Sequence, residues 1–130
     1  MMMTGKQMSD GKKVLVVDDD PNVFELVQLY VGSDEVSVLQ ALDAYAGLDL
    51  VIRQQPDVIV LDVMMPGMDG LEMCRRLREI PDVASTPVII LSAKVEEEDI
   101  EAGYEAGADD YVTKPFEPQD LADRVREMMD

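Results

Sequence analysis

An α/β fold built on a doubly wound parallel sheet is what this 130-residue chain predicts, and three observations carry the prediction. Five short apolar or β-branched segments alternate with helical patterns, the order expected of successive βα units. Residues 14–17, 58–61 and 88–91 are continuous apolar runs, as parallel strands covered on both faces require. Acids, a serine and a lysine follow the apolar segments, so polar chemistry gathers at the strand ends where such a sheet binds ligands.

The elements follow in order. Val14, Leu15, Val16 and Val17 form the first strand. Val23, Leu26, Val27, Tyr30 and Val31 recur at helical spacing behind Pro21, with Asp20 placed to cap that helix. Val36, Ser37 and Val38 alternate, as an edge strand does. Ala44, Leu48, Val51 and Ile52 make the second helical stripe, and Leu71, Cys74 and Leu77 make the third on the far side of strand 58–61. After strand 88–91, the segment 95–108 is a weaker helix: Glu96, Glu97, Glu98 and Asp99 favour a helix start, whereas Gly103 and Gly107 each cost about 1 kcal/mol relative to alanine. Tyr111 and Val112 form a short second edge. Pro118 suits a first helical position, and Leu121, Ala122, Val125, Met128 and Met129 line one face of the last helix.

Composition narrows the function. With 47% hydrophobic residues the chain can bury one core, expected over residues 12–130, behind a polar, disordered tail at 1–11. A net charge of −17 opposes nucleic acid and anionic membrane surfaces as direct partners. No run reaches the roughly 20 apolar residues that span a bilayer, and the N-terminus lacks the apolar core of a signal peptide. Cys74 is the single cysteine, which suits a reducing cytoplasm, the expected compartment.

Asp18 and Asp19 close the first strand, Asp62 the third, Ser92 the fourth, and Thr113 and Lys114 the fifth. An apolar strand ending in acids must solvate, neutralise or coordinate them, and a divalent cation does this for several at once. Any one of these residues could be a loop acid or a helix cap; four strand ends together favour a site. A carboxylate is already ionised near neutrality and needs no general base to act as a nucleophile, only relief of its charge.

In Val16-Val17-Asp18-Asp19-Asp20-Pro21, Leu61-Asp62-Val63-Met64-Met65-Pro66-Gly67-Met68-Asp69-Gly70, Leu91-Ser92-Ala93-Lys94 and Asp109-Asp110-Tyr111-Val112-Thr113-Lys114-Pro115-Phe116, the chain resembles the receiver domain of two-component response regulators. The resemblance spans residues 12–129. It implies a flavodoxin-like (βα)5 three-layer sandwich with strand order 2-1-3-4-5 and Asp62 as phosphoryl acceptor. It further implies Mg²⁺, or Mn²⁺ as a substitute, on Asp19, Asp62 and the backbone carbonyl of Met64, with Asp18 acting through a metal-bound water. Lys114 would pair with Asp62 and then with a phosphoryl oxygen, the Lys114–Pro115 peptide would be cis, and Ser92 would donate to the phosphoryl group.

Ser92 and Tyr111 are the expected switch pair, reshaping the face of the fourth helix, fifth strand and fifth helix for a downstream effector or a dimer. In dimers of such receivers Asp109, Asp110 and Arg124 belong to a charged pattern, here incomplete because Ala102 replaces a basic residue and leaves Asp120 without its expected pair. Met64 cannot orient a hydrolytic water as an amide would, and Lys94 is long and cationic, so the domain would catalyse its own phosphorylation but lose the group slowly. The donor would be a sensor histidine kinase or a histidine phosphotransfer protein. The alternative is a pseudo-receiver, an acidic interaction module with no phosphorylation control.

Overall fold

The computed structural model describes residues 11–130. The tail expected at 1–11 therefore lies outside the described residues, apart from an exposed Gly11. Five parallel strands, β1 (Lys12–Val17), β2 (Val36–Ala41), β3 (Val58–Asp62), β4 (Val88–Ser92) and β5 (Asp110–Thr113), form one sheet in the order β2-β1-β3-β4-β5. The helices between and after them are α1 (Pro21–Val31), α2 (Ala44–Gln54), α3 (Gly70–Arg78), α4 (Glu97–Glu105) and α5 (Pro118–Met129), with a 3-10 turn at Pro81–Val83. This is the doubly wound sandwich and strand order implied by the resemblance.

Side chains alternate along each strand, so the sheet builds two separate apolar layers. Leu15, Val17, Ile59, Leu61 and Ile90 face Ala44, Val51, Met73, Cys74 and Leu77 of α2 and α3. Val14, Val16, Val58, Val60, Ile89 and Leu91 face the other way, onto α1 and α5 through Val23, Val27, Leu121 and Val125. Every residue of β3 and β4 is buried, which explains their unbroken apolar runs. Each such Val, Leu or Ile contributes about 1.5–3 kcal/mol by leaving water.

Caps set where the helices begin. Asp20 accepts from the Asn22 N–H at 3.0 Å ahead of Pro21, Asp43 from Ala46 at 2.8 Å, and Asp69 from Glu72 at 2.9 Å. Two residues of the expected stripes point outward instead, Tyr30 at 37% and Ile52 at 52% exposure. In α2 the cause is Gly47, where an added Cβ would meet Met73 and Val17 at 3.0 Å. That close approach centres the buried face on Ala44, Gly47 and Val51 and turns Ile52 about 100° away from it. Gly107, at φ +113°, makes the left-handed turn that ends α4 and returns the chain to β5.

Candidate functional site

Register brings the strand ends level. Val17 pairs with Leu61, Asp62 with Leu91, and Ser92 with Thr113, so the residues after β1, β3, β4 and β5 share one edge of the sheet. Asp18, Asp19 and Asp62 each present a carboxylate oxygen within 4.8 Å of the others. Asp18 and Asp62 are buried and Asp19 is exposed, so the cluster opens to solvent on one side.

Asp18 accepts from the Asp20 N–H at 2.9 Å through Oδ1, and Asp62 accepts from the Met64 N–H at 3.1 Å through Oδ1. Lys114 reaches both buried acids: it donates to Asp18 Oδ2 at 3.1 Å and forms a longer ion pair with Asp62 Oδ2 at 3.9 Å. Asp18 is the more deeply buried of the two acids and holds the ammonium more tightly. The Lys114–Pro115 peptide is cis, as the resemblance implied. Ser92 is fully buried, and its Oγ accepts from the Lys94 N–H at 3.1 Å, closing the turn after β4 rather than capping a helix.

Among the described residues three carboxylates face one ammonium here, a formal balance of −2. The imbalance shows in Asp62, whose carboxyl is pushed up to about 6, first by burial and then by the charges of Asp18 and Asp19, against the Met64 N–H and Lys114. It therefore has a narrower margin of ionisation at neutrality than an ordinary carboxylate has. Hard oxygen donors carrying a surplus of two negative charges fit a divalent metal ion, and this acidic cluster could hold one.

Tyr111 lies half-buried in the crevice between α4 and β5, its hydroxyl donating to the Lys94 carbonyl at 2.8 Å. Burial raises its phenol above the ordinary value, and the nearby Ser92 hydroxyl works against that. The ring edge rests on Gly103, where an added Cβ would meet it at 2.9 Å. Met64 is exposed at 55%, whereas Met65 and Met68 are buried. Within the chain Asp120 pairs with Arg124 at 3.2 Å, and the same guanidinium grips both Asp110 oxygens at 2.9 and 2.8 Å.

Sequence reasoning missed Arg78. Its guanidinium donates to the carbonyls of Gly107, Ala84 and Thr86 and to Asp109, joining the end of α3 to the starts of β4 and β5. The signal was present: Arg78 follows Leu71, Cys74 and Leu77 on the buried face of α3, where an unpaired cation would be costly.

Comparison with known proteins agrees with this geometry. The family model described as the response regulator receiver domain matches residues 14–126. This chain belongs to the response regulator receiver family. It is 43% identical over 122 residues to the transcriptional regulatory protein CseB of Streptomyces coelicolor, covering 94% of this chain and 51% of that relative. It is 39% identical over 117 residues to RpaA of Synechocystis, named a DNA-binding dual master transcriptional regulator, covering 90% and 48% respectively. The receiver thus spans about half the length of these curated relatives. Among solved structures, a putative response regulator from Chloroflexus aurantiacus superposes with a TM-score of 0.83 at 36% identity, covering 91% of this chain and 97% of that one. Among the described residues, no helix of this receiver is long and apolar enough to cross a membrane.

Proposed function

We propose that Asp62 accepts a phosphoryl group from a sensor histidine kinase or a histidine phosphotransfer protein, and that the modified domain signals to a downstream effector. One observation carries this reading: a buried acid at a strand end lies within 4.8 Å of two further carboxylates and 3.9 Å from a lysine at the same sheet edge. Mg²⁺, with Mn²⁺ as a substitute, would be held by Asp19, Asp62 and the Met64 carbonyl, with Asp18 through water, and would supply charge neutralisation.

The residues divide the remaining work. The Met64 N–H holds Asp62 Oδ1 and leaves Oδ2 to attack. A bond forms from that oxygen to phosphorus as the bond to the donor's imidazole nitrogen breaks, and the electron pair leaves with the nitrogen. Lys114, already within reach, moves its donors onto a phosphoryl oxygen, and Ser92 offers its hydroxyl proton to another. Ser92 and Tyr111 then report the change to the α4-β5-α5 face, through which effector binding or dimerisation follows. Met64 and Lys94 leave hydrolysis slow. The reaction belongs in the cytoplasm, and the −17 charge keeps the domain itself off DNA and membranes.

Intact mass after incubation with Mg²⁺ and acetyl phosphate tests the proposal. One phosphoryl mass should appear on the natural protein and none on Asp62→Asn. The same mass gain on both proteins would remove Asp62 as the acceptor, and no gain on either favours the non-phosphorylated interaction module.

A further inference from the structure

A groove of about 470 Å³ lies between the start of α3 and α4, beside the acid cluster but lined by none of its three carboxylates. Its size is that of a ligand site. Val63, Met65, Leu71 and Ala102 give it an apolar floor, and the Tyr111 ring closes one end. Asp69 and Asp99 stand on its rim. Asp69 accepts through Oδ1 from Glu72, and Asp99 through Oδ2 from Glu96, so each keeps a second oxygen for a partner. Glu96, Glu97 and Glu98 extend the negative field at the start of α4, and Lys94 is the one cation among the lining residues.

We propose that this groove seats a basic segment of a partner protein, with an apolar side chain on Leu71 and Ala102 and Lys or Arg side chains on Asp69 and Asp99, and that phosphorylation changes its affinity. The coupling rests on the function proposed above. Met64 lines the groove and its N–H holds Asp62, while Tyr111 lines it and is tied to the turn that Ser92 closes. New charge on Asp62 acts on both walls, and by linkage an occupant of the groove acts back on phosphorylation by the same factor.

The test uses the ¹⁵N-labelled receiver and the peptide acetyl-Arg-Ala-Ala-Leu-Ala-Ala-Arg-amide, with analogues carrying Gln or Glu for Arg, or Ala for Leu. The Arg-Leu peptide should shift the amide signals of Leu71, Ala102 and Tyr111. Affinity should fall about three- to tenfold with each analogue and with Asp69→Asn/Asp99→Asn, a pair that keeps both caps because Asn caps as well as Asp. Equal or tighter binding of the Gln or Glu peptide, shifts confined to another face, or indifference to the double variant would overturn the groove. Affinity is then remeasured after acetyl phosphate treatment, with intact mass read on the same sample. A phosphorylated protein with unchanged affinity overturns the coupling; groove binding by a protein that gains no mass upholds the groove and removes Asp62 as acceptor.

Discussion

Replacing Asp62 by asparagine should stabilise the metal-free protein above neutrality. The carboxyl titrates at about 6 in the fold against 3.8 in the open chain, a difference worth at most about 3 kcal/mol. Solvent entering beside the exposed Asp19 screens part of this, leaving about 1–2 kcal/mol. The sign follows from proton binding. Between about pH 4 and pH 6 the folded state holds a proton that the unfolded state has lost, so stability falls as pH rises through this window. The penalty is complete above about pH 6 and absent below about pH 4. Asparagine keeps the shape and the Met64 N–H bond while removing the charge. In EDTA at about pH 7.5, calorimetry should place the melting point of the variant about 3–8 °C above the natural protein, and the gain should vanish near pH 4. Adding Mg²⁺ should raise the natural protein and narrow the gap. A variant no more stable at about pH 7.5, or a gain independent of pH, would refute the account of charge crowding at this site.

Three other outcomes are expected. Met64→Asn should speed loss of the phosphoryl group about two- to tenfold, the value of one hydrogen bond to water in the transition state, as followed by intact mass over time. Lys114→Ala should slow labelling by acetyl phosphate at least about tenfold in the same assay, because it removes the ammonium that reaches both Asp18 and Asp62. Arg78→Ala should lower urea stability by about 2–4 kcal/mol while leaving Asp62 able to be labelled, since it strips donors from three carbonyls and Asp109 without touching the site.

The sheet was legible because β3 and β4 are buried on both faces and run apolar from Val58 to Leu61 and from Val88 to Leu91, turning polar only at Asp62 and Ser92, while the edge strand β2 carries alternation. The site was legible because βα connectivity sends every strand end to one edge, so Asp18, Asp62, Ser92 and Lys114 had to meet. What escaped was choice among near neighbours. Lys114 reaches two carboxylates, and sequence order cannot tell which is buried more deeply. Arg78 bonds to carbonyls of Ala84, Thr86 and Gly107, and a backbone carbonyl leaves no mark in the identity of its residue. The outward turn of Ile52 depends on how closely α2 approaches through Gly47, a matter of packing rather than of period.

The same distinction governs the charged face of α5. Arg124 satisfies Asp110 and Asp120 within one chain, so a dimer built on this face would exchange those bonds rather than add to them. Exposed ion pairs are worth about 0–1 kcal/mol each, and an exchange of like for like changes the sum by less. The free energy of association must then come from apolar contact, and Tyr104 is the large apolar side chain that α4 leaves exposed. A phosphoryl group can act on that contact through the position of α4, which Tyr111 touches at Gly103 and Arg78 anchors at Gly107. The ion pairs would set the register of such an interface while the packing of α4 decides whether it forms.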